Sequence, residues 1–121
     1  MDALLDQIKN RSETVSFKDV ISAIGHYYVY TPTPFTNGLG KETLHNGAGQ
    51  NEGSCKIFAF AQDQQLTEAE TLACFGDYYR TDVLLHPEKT DHQNIRHFMK
   101  YGWQGIQFEG TALIAQQKAS A

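Results

Sequence analysis

The sequence has no cationic cluster. No two of its ten Lys and Arg residues are adjacent, and fourteen Asp and Glu outnumber them for a net charge of −4. A duplex-binding surface needs grouped cations to displace counterions from phosphates, so no nucleic acid is expected as a partner. The same deficit argues against an anionic membrane surface. No stretch approaches the roughly 20 consecutive apolar residues that span a bilayer. The opening residues Met1-Asp2-Ala3-Leu4-Leu5-Asp6 carry acids and no long apolar run, unlike a cleaved Sec signal. A cytosolic location is expected, or export by a route without such a signal.

Cysteine is also scarce. Cys55 and Cys74 are the only two, and each falls in a stretch with helical character, which predicts free, buried thiols rather than a disulfide scaffold. Cys55 as a nucleophile is disfavoured by Glu52, one turn earlier, whose charge opposes a thiolate. The five histidines do not make a metal site. His92 and His97 are five positions apart, about 140° round a helix, and cannot chelate from one face. His26, His45 and His86 have no partner at ligand spacing, so no metal and no cofactor are expected.

What the chain does have is helical punctuation. With 121 residues, 40% hydrophobic and 20% charged, it suits one domain with a core of its own. Residues 2–10 form a short amphipathic helix. Ser16 caps the next helix, with Phe17, Val20, Ile21, Ile24 and Tyr28 on one face and a Val15–Val20 staple. Asn51 caps a third, over which Cys55, Ile57, Phe58, Ala59, Phe60 and Ala61 go all the way round, the mark of a helix at the centre of a fold. Thr67-x-x-Glu70 opens a fourth, which runs to His86-Pro87. Thr90-Asp91-His92-Gln93 opens the last, with Ile95, Phe98, Met99 and Trp103 inward and a stop at Gly102. Between them, residues 29–51 lose periodicity through Pro32, Pro34 and two Asn-Gly pairs, and a loop that long is often functional. Residues 105–110 alternate like a strand, for which only the middle loop offers a partner.

The fold predicted is therefore mainly α: a compact orthogonal bundle of four main helices with a short N-terminal helix and a small two-stranded β ribbon. Residues 1–15 would be a helix and linker, 16–110 the helical domain and 111–121 a frayed tail.

Four motifs, in order, resemble the HopJ type III effector family: Thr31-Pro32-Thr33-Pro34-Phe35 through Asn37-Gly38, Asn51-Glu52-Gly53-Ser54-Cys55-Lys56-Ile57-Phe58, Phe75-Gly76-Asp77-Tyr78-Tyr79-Arg80, and Asp91-His92-Gln93-Asn94-Ile95-Arg96 with Gly102-Trp103. The match spans about residues 17–110. The resemblance implies a bacterial protein, in the cytoplasm or delivered by type III secretion into a host cell. It would act as an interaction or binding domain on a host or bacterial protein, and the resemblance supplies no catalytic residues. A second reading, from the residues themselves, is an enzyme or small-ligand binder. Its pocket would lie where the 29–51 loop meets the helix starts near Asn51 and Thr90. There Asn37, Asn51, Glu52 and His92 would converge beside Tyr30 and Trp103, the polar and aromatic mixture a ligand pocket needs. On its apolar helix face, His92 is expected as a satisfied core group ahead of a site residue.

Overall fold

The computed structural model describes residues 1–116. Helical turns of all kinds make up about 55% of it, and five strands form two small antiparallel sheets, so the fold is mixed α/β and not the mainly α bundle the periodicity predicts. The helices are α1 (Asp2–Asn10), α2 (Phe17–Tyr27), α3 (Glu52–Asp63), α4 (Glu68–Ala73) and α5 (Gln93–Tyr101). The strands are β1 (Tyr28–Tyr30), β2 (Phe35–Asn37), β3 (Leu44–Asn46), β4 (Ile106–Phe108) and β5 (Leu113–Ala115). Each strand has only three residues, too few for a period-two alternation to stand out from loop sequence.

The middle loop supplies most of the sheet. β2 is central in the order β3-β2-β4, with Phe35 opposite both Asn46 and Phe108. The 106–108 strand does find its partner in the middle loop, but in a three-stranded sheet rather than a ribbon. A second pair joins β1 to β5, with Val29 opposite Ile114. Residues 113–115 of the tail expected to fray are thus a paired strand, because extended backbone there meets the open edge of β1. The remainder of that expectation, 117–121, lies outside the described residues.

α3 is the centre. Cys55, Ile57, Phe58, Phe60 and Ala61 are all buried. The Phe58 ring sits 5.0 Å from Phe98, 5.5 Å from Phe75 and 5.9 Å from Phe35, centroid to centroid. Cys55 and Cys74 are free and buried.

Local signals decide two of the helix starts as expected. The Ser16 hydroxyl accepts from the Asp19 amide at 3.1 Å. Thr67 and Glu70 form a reciprocal capping box. The long fourth helix does not form. Gly76 takes φ +59, and a Cβ there would lie 2.7 Å from the Phe17 amide nitrogen, so the chain turns sharply where α2 begins. A single π-helical turn, Tyr78–Val83, follows.

Candidate functional site

The two remaining helix starts differ from the sequence expectation, and their departure builds the site. Asn51 and His92 each precede a helix in the left-handed conformation, at φ 51 and φ 52, and neither side chain caps its helix. The predicted capping box at Thr90 is absent, because His92 turns the chain and α5 begins only at Gln93. The backbone amides of Gly53, Ser54, Gln93 and Asn94 consequently have no hydrogen-bond acceptor among the described residues.

All four residues line one cleft of about 540 Å³, together with Asn51 and His92. Leu44 of β3 closes one side, and Phe17, Phe75 and Tyr78 supply aromatic wall. The cleft therefore joins a row of unengaged N–H donors, a histidine and apolar surface. His92 is oriented from outside. Its Nε2 donates to Asp82 Oδ2 at 3.0 Å, and Asp91 Oδ2 stands 3.9 Å away. Arg96 reaches Asp91 Oδ1 at 2.7 Å and holds the Asp91 carboxyl below its ordinary range.

Beneath the cleft runs a chain of asparagines. Asn51 Nδ2 donates to Asn46 Oδ1 at 2.7 Å, and Asn94 Nδ2 donates to the same oxygen at 3.0 Å. Asn37 Nδ2 donates to the Asn94 carbonyl at 2.8 Å and to Asn94 Oδ1 at 3.1 Å. Asn37, Asn46 and Asn94 are buried, and Asn37 Oδ1 has no hydrogen-bond partner among the described residues. The network ties β2 and β3 to both helix starts, which fixes the separation of the two rows of free amides.

A family model described as HopJ type III effector protein matches residues 1–113. The chain belongs to that family. The crystal structure of the unknown function protein VPA0580 superposes on this HopJ chain with a TM-score of 0.91 at 49% identity, covering 96% of this chain and 93% of that one. No curated protein matches the sequence. No helix among the described residues is long and apolar enough to cross a membrane.

Of the six residues singled out in the HopJ sequence, Asn51 and His92 line the cleft, and Asn37 reaches it through Asn94. The other three lie elsewhere. Tyr30 and Glu52 are neighbours on the outer side of α3, where Lys56 stands 4.7 Å over the Tyr30 ring. Burial, and then the Glu52 carboxylate, hold the Tyr30 phenol well above its ordinary range. Trp103 packs behind α5, its indole N–H donating to the Leu66 carbonyl at 3.1 Å and its ring 5.0 Å from Phe98. It helps build the core under the site and does not line it. Met99, expected inward, is 44% exposed.

Sequence reasoning missed Asn46, Asn94, Asp82 and Tyr78. Asn46 read as the first residue of an Asn-Gly turn, although it closes β3. Asn94 was one polar residue among several in α5, and only its burial marks it. Asp82 and Tyr78 lie on a π-turn that nothing in their spacing announces.

Proposed function

We propose that this HopJ protein works by binding, and that its site is the cleft between the starts of α3 and α5. The ligand is a small molecule with an acceptor-rich acidic group such as a phosphate or carboxylate. The observation behind this reading is the convergence, on one cleft of about 540 Å³, of four unengaged backbone amides and His92 against an aromatic wall. Ligand sites typically measure about 300–1,000 Å³ and combine apolar walls with a few convergent polar groups. First-turn amides point along the helix axis, where the macrodipole favours negative charge. Delivery into a host cell by type III secretion is part of the same proposal and is supported by family membership alone.

The test is a titration of isotopically labelled protein with inorganic phosphate, followed by amide chemical shifts. Saturable shifts at Gly53, Ser54, Gln93 and Asn94 are expected. Shifts elsewhere, or none up to tens of millimolar, would remove the cleft as the site. A translocation reporter fused to the chain should enter host cells only when the type III apparatus is intact.

A second reading, docking on a partner protein, has one observation in its favour. Leu84, Leu85 and Met99 are 46%, 67% and 44% exposed. Leu84 and Met99 also border an apolar groove of about 330 Å³ shared with Val83, Pro87, Arg96 and Lys100. Loss of the biological effect in Leu84→Glu/Met99→Glu, with phosphate binding and melting temperature retained, would favour it.

A further inference from the structure

The cleft does not end at its aromatic wall. Beyond it lies a second cavity, of about 510 Å³, bordered by Thr14, Ser16, Lys18, Asp77, Arg80 and Asp82. Phe17 and Tyr78 line both cavities. Their rings meet edge to face with centroids 5.1 Å apart, so the partition between the chambers is a pair of rings. Asp82 on the rim of the second chamber is also the partner of His92 in the first.

The two rings are held differently. Phe17 is locked: a Cβ on Gly53 would fall 2.8 Å from its ring, and one on Gly76 would fall 2.7 Å from its backbone nitrogen. Those two glycines let α3 and the turn after α4 close directly onto it. Tyr78 is 45% exposed, sits on the π-helical turn, and its hydroxyl has no hydrogen-bond partner among the described residues. Its ring is 5.2 Å from the His92 ring on the other side. It is the side chain of the wall that can turn its face to a ligand, and π-helical turns recur where a side chain must be presented out of helical register.

The charges bordering the second chamber balance, Lys18 and Arg80 against Asp77 and Asp82. Arg80 is spent on the carbonyls of Ser12 and Val15, at 3.2 and 2.5 Å, and lies 3.7 Å from Asp77. Asp82 is spent on His92. What remains on offer there is ring surface and the Lys18 ammonium, which shares the cavity with the Asp77 and Asp82 carboxylates.

We infer that the two chambers are one extended site for an aryl acid: a molecule whose acidic group meets the helix starts and whose flat aromatic body lies against Phe17 and Tyr78, continuing into the second chamber. This rests on the binding reading above, and adds to it the class of ligand and the residue that selects it. Tyr78 is a specificity residue, since ring-on-ring contact favours a flat apolar body over a bare anion.

The experiment titrates inorganic phosphate, phenyl phosphate and 4-biphenylyl phosphate into the full chain, with amide shifts as the readout. Phenyl phosphate is expected to bind about tenfold tighter than inorganic phosphate, as one good aromatic contact allows. The biphenylyl compound should also move the amides of Ser16 and Lys18 in the second chamber. In Tyr78→Ala the ratio between phenyl and inorganic phosphate should fall close to one, while Tyr78→Phe should keep it. Equal affinities for the first two probes, or a ratio unchanged in Tyr78→Ala, would overturn the extended site and leave the binding reading standing. Failure of every probe to move Gly53, Ser54, Gln93 and Asn94 would overturn both. Tyr78 is half exposed, so its truncation is not expected to unfold the domain, and the melting temperature of each variant checks that.

Discussion

Asn46 and Asn94 exchange hydrogen bonds in both directions, Asn94 Nδ2 to Asn46 Oδ1 at 3.0 Å and Asn46 Nδ2 to Asn94 Oδ1 at 3.2 Å. They come from β3 and the first turn of α5, 48 residues apart in the chain, and both are buried. A buried amide pair of this kind is worth little net while both partners stand and costs the full desolvation of the survivor when one is removed.

Asn94→Ala should therefore lower stability by about 1–3 kcal/mol, since Asn46 keeps only Asn51 and a long contact to the Phe35 carbonyl. It should also loosen the spacing of the two helix starts. Urea unfolding gives the first quantity. An unchanged midpoint would show that water satisfies Asn46 equally well.

Phe58→Ala should cost about 3–5 kcal/mol, through lost transfer energy and the cavity left among Phe35, Phe75 and Phe98. A melting temperature close to that of the parent protein would mean that α3 is not the organising helix.

Gly76→Ala should destabilise by at least about 2 kcal/mol, because a left-handed alanine is strained and its Cβ would press on the start of α2. The damage should spread to the cleft by displacing Phe17. Loss of the Phe17 ring contacts in an aromatic NMR spectrum would register it.

Stability should fall at high pH, in part through Tyr28. Burial first, and then its hydrogen bond to Asp63 at 2.5 Å, push the Tyr28 phenol from its ordinary value near 10 up to about 12. The folded state prefers the neutral phenol, so this contribution is whole below about pH 10 and is lost as pH climbs towards 12. Tyr30 acts in the same direction. Tyr28→Phe should flatten the fall in stability across that window, at a cost near neutrality of about 1 kcal/mol for the lost hydrogen bonds. A parent and a variant with the same alkaline limb would exclude the mechanism.

Thiol reagents should label the native protein slowly at neutral pH. Burial pushes the Cys74 thiol up to about 12 and raises Cys55 as well, so neither offers thiolate. Fast stoichiometric labelling without denaturant would contradict this.

What the sequence made legible was local. Ser16 and Thr67 cap because the hydroxyl and its target amide are three residues apart, and α3 is central because its own apolar groups encircle it. The site depends on relations the chain order hides. Asn51 and His92 look like helix-start residues, which they are, but a left-handed turn there leaves amides free instead of capped. Although Asn and His are enriched at positive φ, the same residue types serve equally as ordinary helix-start residues. The asparagine network needs β2, β3, α3 and α5 already assembled. Three-residue strands carry too little alternation to be told from loop, so a mixed fold reads as helical. Tyr30, Glu52 and Trp103 share the sequence neighbourhood of the cleft and the wrong faces of their elements.

Tyr27 takes part at both extremes of the described chain: the Met1 amino group donates to its hydroxyl at 2.9 Å, and the Gln116 amide donates to its carbonyl at 2.8 Å. Topologically the backbone is close to a ring with one seam. The seam brings the start of α1, the end of α2 and the residue after β5 together, so it closes only when residues from both extremes of the described chain are in place. The same geometry means that a short linker could join those two points and a new opening be cut at the exposed Gln65 turn, yielding a permuted chain with the helix starts undisturbed.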